Sequence, residues 1–341
     1  MAEENFKMKK NSTLPVLFFC FLAGLVFFYV NSTAQQAINK KSDTAELIFQ
    51  SGFEGTSTIA TDLSTNDYGA HTEYITGIDS SFHKKNNWDW DWKIFLTKGT
   101  FQIQYTGGDS SKRFAKIIAE PAHPDNHVLQ FWLNDSWLAS EGQQKARIQA
   151  NLYGINKGCK DFYQSVRVFL TEDFSAVKSY PHEISWCTIA ECWNNEWWVK
   201  NEPYGFRITL GIGKPSAASA DLNFIVNAEN AGQKEVWNGN NTTLKVPIGK
   251  WFTMEYYFKE GNKETGRFWM AITPDDGPRQ VVFDIHNFTH NTTDPSPNGV
   301  TGFNPMKLYT SKELVAHVKS KGKTLQVYWD DFKLWKNKRP E

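Results

Sequence analysis

Polar and apolar side chains alternate through residues 147–153, and this alternation is the sequence feature that most constrains the fold. The polar positions are Arg147, Gln149, Asn151 and Tyr153. The positions between them carry Ile, Ala and Leu. Because successive side chains of a β-strand point to opposite faces of the sheet, this run predicts a strand with one face in a core and one polar face.

A second run, at residues 251–259, follows the same pattern. Its apolar parity is Phe252, Met254, Tyr256 and Phe258, and its other parity is Thr253, Glu255, Tyr257 and Lys259. Two strands with the same alternation predict one extended polar surface, of the kind that lines a groove for a sugar chain. The alternative is an ordinary solvated face of an antiparallel sheet.

The rest of the chain is rich in short β-forming runs, with Gly, Pro or Asn at almost every join. The runs expected to form strands are 128–133, 147–153, 163–170, 183–193, 206–212, 223–227, 251–258, 267–273, 281–286 and 325–335. Helical periodicity is nearly missing, and the best helix candidate is the short segment 311–319. This spacing predicts an all-β fold, a two-sheet antiparallel jelly-roll sandwich.

The N-terminus has the features of an export signal, because lysines precede an apolar run at 14–30 and small residues follow it up to Ala34. The run is about 17 residues long, at the lower limit for a membrane span, so an uncleaved anchor is the alternative. We predict a signal peptide at 1–34, a polar leader at 35–45 and one jelly-roll domain at 46–337. The protein is then secreted, or held at the cell surface or in the periplasm, with no membrane span after signal removal.

Charge excludes one class of partner. Lys and Arg together number 37, as do Asp and Glu, so the formal net charge is zero. A nucleic acid held by bulk electrostatics requires an excess of cations. We therefore predict no nucleic-acid partner.

Three cysteines follow the predicted signal peptide: Cys159, Cys187 and Cys192. At most one disulfide can form within the chain, and both a 187–192 and a 159–187 bridge are compatible with an oxidising compartment. The Cys and His spacings of a zinc site are absent.

The two ends of the chain carry a resemblance. The segments LIFQSGFEG (47–55) and VYWDDFKLW (327–335) are similar to the first and last strands of concanavalin A-like lectin/glucanase jelly rolls. The resemblance implies that the two terminal strands lie together in one sheet. It also implies a structural calcium ion, for which Asp330 matches a family ligand and Glu54 lies near the other side of the site. Hard oxygen ligands suit calcium.

This superfamily includes retaining hydrolases, which need two carboxyl groups about 5 Å apart. The nearest candidate is HEISWCTIAE (182–191), where Ser185 stands in place of the middle Asp of the family pattern. Glu183 and Glu191 would lie about 26 Å apart along an extended strand. Two carboxyl groups this far apart could not act on one glycosidic bond. Hydrolysis by Glu183, Glu191 or Glu255 is the rival enzyme interpretation.

Polysaccharide lyases of the jelly-roll type need a group that neutralises a uronate carboxylate, a base and an acid. The segment YYFKEG (256–261) resembles the Tyr-Phe-Lys-x-Gly strand of jelly-roll alginate lyases, although the accompanying R-x-E-x-R and Q-I-H motifs are not found. The resemblance favours β-elimination of an extracellular acidic, uronate-containing polysaccharide. The catalytic candidates are Tyr257, Lys259 and His286. The substrate-binding candidates are Arg147, Gln149, Asn151, Arg167 and Glu191.

Glycan binding without catalysis is the non-enzyme alternative. Aromatic rings stack on the apolar faces of pyranoses, and the chain has two clusters of tryptophans. They are Trp88, Trp90 and Trp92, and Trp193, Trp197 and Trp198. About half of such tryptophans would be core residues in an all-β protein of this size, so their number does not decide the function.

Overall fold

The computed structural model describes residues 44–65, 70–81, 90–92, 100–106, 110–138, 144–153, 158–194 and 203–341. The predicted signal peptide and most of the polar leader lie outside the described residues, as do Trp88, Trp197 and Trp198. Residues Ala45–Glu341 form one compact unit.

Eight of the described strands form one antiparallel sheet, here called sheet I. They are β1 (Glu46–Ser51), β7 (Arg113–Glu120), β8 (His123–Leu133), β11 (Asp161–Leu170), β16 (Trp251–Lys259), β17 (Arg267–Pro274), β18 (Gln280–His286) and β20 (Leu325–Lys336). Their order is β18-β17-β16-β11-β20-β8-β7, and β1 also pairs with β20. The first and last strands therefore lie together, as the resemblance implied.

Ten strands form the second antiparallel sheet, sheet II. They are β2 (Thr58–Thr65), β3 (Ala70–Thr76), β6 (Thr100–Thr106), β9 (Trp137–Leu138), β10 (Gln144–Tyr153), β12 (Thr188–Asn194), β13 (Phe206–Gly213), β14 (Asn223–Asn230), β15 (Lys234–Lys245) and β19 (Gly302–Ser311). Their order is β15-β14-β13-β12-β19-β10-β6-β3-β2, and β9 pairs with β10.

The remaining elements are short. β4 (Ile78–Asp79) and β5 (Trp90–Asp91) pair with each other, and a 3₁₀ helix covers Glu172–Ser179. The α-helix α1 (Lys312–Ser320) confirms the helix candidate at 311–319. In the part of the chain that the structure describes, no helix is both long and apolar enough to cross a membrane.

The core lies between the two sheets, and the alternation read from the sequence decides which side chains enter it. From sheet I, Met254 and Phe258 are fully buried, and from sheet II, Ile148 and Leu152 are fully buried in the same cluster. Trp92 also belongs to this core, so it is not a surface platform for sugars. The prediction of an all-β, two-sheet antiparallel jelly-roll sandwich is confirmed.

One sequence interpretation is wrong. The polar faces of residues 147–153 and 251–259 do not form one surface, because the first run is β10 of sheet II and the second is β16 of sheet I. Both strands turn their apolar parity into the shared core. Their polar parities therefore lie on the two opposite outer faces of the sandwich.

Candidate active site

A buried ion pair lies on the outer face of sheet II. The Nζ atom of Lys307 on β19 donates to Oε2 of Glu191 on the neighbouring strand β12. The Lys307 side chain is 3% exposed and that of Glu191 is 2% exposed. Burial lowers the pKa of Lys307 to about 8, although the Glu191 charge acts in the opposite direction. An ammonium with this pKa is closer to losing its proton at neutral pH than an ordinary lysine.

Irregularities in both strands bring the pair together. The pairing of β12 with β19 shifts register between Thr188 and Glu191. On β19 the register against β10 shifts between the partners of Ala150 and Leu152. Bulges of this kind re-aim side chains and are frequent beside active sites.

Two arginines flank the pair, and the four residues together are called here the cationic centre: Arg147, Glu191, Arg207 and Lys307. The Nη1 atom of Arg207 lies 3.8 Å from Oε1 of Glu191, and its Nη2 atom forms an ion pair with Glu229 at 2.7 Å. Arg147 is half-buried on β10, where burial lowers its pKa and the Glu191 charge raises it. Three cations thus lie around the Glu191 carboxylate, and Arg207 is shared with a second carboxylate, that of Glu229.

A network of amides extends the polar face next to the centre. Gln149 donates from Nε2 to Oε1 of Gln104 at 3.0 Å and to Oδ1 of Asn151 at 2.6 Å. Asn151 in turn accepts from Nδ2 of Asn304 at 2.6 Å. Both Gln149 and Asn151 are almost fully buried, so they hold one another in place along the floor of the face.

Tyr309 lies at the border of the centre. Its ring centroid is 5.4 Å from the Arg147 guanidinium carbon and 5.1 Å from Nζ of Lys307. The ring of Trp186 packs against it with centroids 4.9 Å apart. Both cations therefore make cation–π contacts with the Tyr309 ring.

A cleft of about 320 Å³ opens beside Tyr309 on the same face. Trp186, Thr188 and Thr209 form the side near the centre, since Thr188 pairs with Tyr309 and Thr209 pairs with Glu191. Side chains from β14 and β15, including Asn227 and Glu235, form the far side. The cationic centre and the cleft are therefore parts of one continuous surface.

The predicted site residues fall into two groups. Arg147, Gln149, Asn151 and Glu191 come together on sheet II, whereas Tyr257, Lys259, His286 and Arg167 lie on the outer face of sheet I. Side chains on opposite faces of a sandwich cannot act on one sugar. The joint catalytic scheme that combined them is therefore wrong, for the same reason as the single-surface interpretation.

On sheet I, Tyr257 is 1% exposed and packs with Tyr163 and Trp269. Its hydroxyl donates to Oδ2 of Asp161 at 2.7 Å. Burial and this hydrogen bond raise the pKa of Tyr257, which disfavours a role as a base.

Lys259, Arg267 and His286 are cross-strand partners in one row of the outer face of sheet I. Arg267 pairs with Asp284 at 2.8 Å, and the exposed His286 lies 3.6 Å from the same carboxylate. This row is an ordinary set of solvent-exposed ion pairs.

Arg167 lies further along the same face and pairs with Asp275 at 2.6 Å. Its Nη1 atom also lies 3.7 Å from Asp330, one of the two predicted calcium ligands. Asp330 is buried and its Oδ2 accepts from Asn126 at 3.1 Å. The groups near the Asp330 carboxylate are therefore nitrogen atoms of Arg167 and Asn126.

The other predicted calcium ligand, Glu54, accepts from the backbone N–H of His127 at 2.7 Å, and its Oε2 lies 2.8 Å from Nδ1 of the same residue. In the described residues, no group of three or more His, Cys, Asp or Glu side chains comes together as a metal site. This arrangement does not fit calcium, which prefers six to eight oxygen ligands. The ion stays a prediction that requires a direct test.

The sequence interpretation missed Lys307 and Tyr309, because the segment that forms β19 was not among the predicted strands. Pro305 argues against a central strand. After it, Met306, Lys307, Leu308 and Tyr309 alternate in the same manner as β10, and this is the signal that could have found them.

Among the described cysteines, Cys159, Cys187 and Cys192 are buried and free.

No family model matches the chain, and no curated protein matches it. Solved structures do show similarity. The marine PL-14 alginate lyase from Aplysia kurodai is similar over 64% of this chain and 87% of its own, with 10% identity and a TM-score of 0.42. The endo-β-1,4-glucuronan lyase from Trichoderma reesei is similar over 65% of this chain and 86% of its own, with 14% identity and a TM-score of 0.42.

A third similar structure is the catalytic domain of the glycoside hydrolase family 131 protein from Coprinopsis cinerea. It covers 75% of this chain and 92% of its own, with 11% identity and a TM-score of 0.34. These similarities concern the fold. The jelly-roll prediction itself rests on the two antiparallel sheets of the chain.

Proposed function

We propose that the protein is an exported polysaccharide lyase that cleaves a uronate-containing glycan by β-elimination on the outer face of sheet II. The observation that carries this proposal is the cationic centre, a buried Lys307–Glu191 pair between two arginines, with Tyr309 and a cleft beside it. A surface with these groups can bind a carboxylate and transfer protons.

β-Elimination needs three actions at neighbouring atoms. A base removes the proton from C5 of the uronate, the C4–O bond breaks, and a C4=C5 double bond forms. The departing glycosidic oxygen takes a proton from an acid, and no water is consumed. Neutralising the uronate carboxylate stabilises the negative charge that develops when the C5 proton leaves.

The residues of the cationic centre, together with Tyr309, match these actions. Arg147 is half-buried beside Tyr309 and would neutralise the carboxylate. Tyr309, in its phenolate form, would remove the proton from C5 and then donate it to the departing glycosidic oxygen, since its ring contacts both Arg147 and Lys307. Lys307 is too deeply buried to contact a sugar, so we assign it the electrostatic role of stabilising the tyrosine oxygen.

The hydrolase reading has less support. Glu191 is held by Lys307 and lies near Arg207, so its carboxylate is not free to attack a sugar. Glu255 lies on the outer face of sheet I, where Arg279 pairs with it at 2.8 Å. Glu191 is therefore engaged and Glu255 lies on the wrong face, so of the three candidate carboxylates only Glu183, which lines the cleft, is left, and a retaining mechanism needs two.

The test is incubation with a panel of uronate polysaccharides, followed by the ultraviolet absorbance of the unsaturated product. Tyr309→Phe removes one hydroxyl and should lower turnover by about 10²-fold or more. Tyr257→Phe is the matched control on the opposite face and should leave turnover unchanged. New reducing ends without the absorbance would establish a hydrolase instead. Retardation in a polysaccharide gel without either signal would establish a binding protein.

Export is a separate part of the proposal and rests on the sequence of residues 1–34. Protein purified from the outside of the native host should begin close to Gln35. N-terminal sequencing of that form is the measurement. A full-length chain recovered from the cytosol would contradict export without affecting the assignment of the site.

A further inference from the structure

Trp186 contacts the tyrosine that we assign to proton transfer. Its ring centroid lies 4.9 Å from that of Tyr309, and the two ring planes are tilted by 51°. Trp186 is half-buried, and it also lines the cleft. Aromatic rings at this separation attract each other beyond the burial of their apolar area. Trp186 therefore lies where it can fix the orientation of the Tyr309 ring.

The backbone on both sides of Trp186 is tied to a neighbouring segment of sheet II. Two residues earlier, Ile184 exchanges both of its backbone hydrogen bonds with Lys214, each at 3.0 Å. One residue later, the carbonyl oxygen of Cys187 accepts from the backbone N–H of Ile212 on β13 at 2.9 Å. The segment that carries the indole is therefore held before and after Trp186.

A further hydrogen bond joins Trp186 to the strand that carries Tyr309. The carbonyl oxygen of Trp186 accepts from Oγ1 of Thr310, the fully buried residue after Tyr309 on β19, at 3.2 Å. Gly211 on β13 packs closely against the same segment, because a Cβ atom there would lie 2.8 Å from the carbonyl oxygen of Cys187. Trp186 is thus a firmly placed neighbour of Tyr309.

The Tyr309 side chain requires such a neighbour. It is half-buried on the outer face of sheet II, and exposed side chains exchange rotamers within nanoseconds. Proton transfer requires a fixed phenol, since a displacement of about 1 Å at the reacting atoms can lower a rate about 10²-fold. The contact with the Trp186 ring restricts this motion.

We infer that Trp186 is a positioning residue, whose ring holds the Tyr309 phenol in the orientation that removes the C5 proton of the uronate. This inference rests on the proposed function, in which Tyr309 transfers that proton. The indole cannot replace the phenol, because its N–H is only a hydrogen-bond donor. The alternative is that Trp186 stacks on a sugar ring in the cleft and contributes to binding alone.

The first experiment measures kcat and KM of the full chain on whichever of polymannuronate, polyguluronate and glucuronan it cleaves fastest. Trp186→Ala removes the ring and should lower kcat about 10-fold or more, with KM changed by less than about 2-fold. Trp186→Phe keeps an aromatic ring and should recover most of that loss. A higher KM with an unchanged kcat in Trp186→Ala would establish the sugar-stacking alternative and overturn the inference.

Trp132→Ala is the matched control for the loss of a tryptophan. Trp132 is also half-buried and stacks on a neighbouring ring, that of Phe114, with centroids 4.8 Å apart. It lies on the outer face of sheet I, because it has the parity opposite to the buried Phe131 and Leu133 on β8. Its loss should leave kcat and KM unchanged.

The second experiment is a double-mutant cycle that shows whether Trp186 acts through Tyr309. In the Tyr309→Phe background the hydroxyl is absent, so Trp186→Ala should lower kcat by less than about 2-fold further. Support of the fold, or of the sugar, would cost the same factor in both backgrounds and would overturn the inference. Thermal unfolding verifies that each variant is folded. Trp186→Leu replaces Trp186→Ala in both experiments if the alanine variant does not fold.

The outcomes separate this inference from the proposed function. Equal losses of kcat in the two backgrounds, or a Trp186→Phe variant as slow as Trp186→Ala, overturn the inference while the lyase assignment stands. Absence of the unsaturated product from every polymer overturns the lyase assignment itself, and the inference with it.

Discussion

At the scale of single residues, we expect the stability of the molecule to depend strongly on the Lys307–Glu191 ion pair. Both side chains are almost fully buried, so each has lost most of its hydration. Removal of one partner from a buried pair leaves an uncompensated charge, which costs far more than the loss of an exposed pair. The pair therefore ties the stability of the sandwich to its candidate site.

Lys307→Met should lower the free energy of unfolding by about 3–5 kcal/mol, because Glu191 stays buried beside the more distant Arg207. The double variant Glu191→Leu/Lys307→Met removes both charges and should recover most of that loss. Urea unfolding is the measurement, and Lys263→Met, an exposed position, is the control. A double variant no more stable than Lys307→Met would contradict this account of the pair.

Asp330 predicts a dependence of stability on pH. Burial, together with the charge of Asp331, raises its pKa to about 7 from an ordinary value of 3.8. The folded chain then binds this proton more tightly than the unfolded chain. The contribution of Asp330 to stability is full below about pH 4 and is lost as the pH rises toward about 7.

Asp330→Asn should therefore be more stable than the parent at pH 8, by a few kcal/mol at most, and this advantage should disappear near pH 4. Thermal unfolding across that range measures the difference. Repeating it with EDTA and with added calcium tests the predicted ion. A calcium-dependent rise in Tm that Asp330→Asn abolishes would support a calcium site and contradict the ion-pair description.

At the scale of elements, α1 shows local signals that agree with the structure. Ser311 is its N-cap, and its hydroxyl accepts from the backbone N–H of Leu314 at 3.3 Å. Glu313 lies in the first turn and Lys319 in the last, where each complements the helix dipole. A nine-residue helix has little stability of its own, so its cap and its buried face both contribute.

Ser311→Ala should lower the free energy of unfolding by about 1 kcal/mol, because the Leu314 N–H loses its acceptor. Ser320→Ala, at the last residue of the helix, removes a hydroxyl without removing an N-cap and should cost less. Thermal unfolding of the two variants side by side gives the comparison. Equal losses would show that capping is not the reason.

At the scale of the whole molecule, equal numbers of acidic and basic residues leave no overall field to attract a polyanion. Binding of an acidic glycan should therefore depend on local cations. Arg147→Gln should weaken binding and reduce its dependence on salt, because one charge contact is lost. Arg267→Gln, on the outer face of sheet I, is the matched control. Affinity electrophoresis at several salt concentrations measures the binding of both variants. Equal effects of the two substitutions would contradict binding of the glycan on the outer face of sheet II.

The fold was open to prediction because its signals are local. Alternation in residues 147–153 and 251–259 decides which side chains enter the core, and turn residues mark where each strand ends. The terminal segments even indicated their partner, since β1 and β20 do pair. Arg147, Gln149 and Asn151 were found in the same way, from the parity of a single strand.

The tertiary structure alone decided which of these strands are neighbours. Alternation divides a strand into two faces, but it carries no information about the sheet to which the strand belongs. That depends on pairings between distant segments, such as β10 with β19, which bring Tyr309 beside Arg147. The same pairings placed Tyr257 on the opposite outer face, because β16 joins β11 and β17 instead. Residue types and faces follow from the sequence, whereas their assembly into one site follows from long-range pairing that no local pattern specifies.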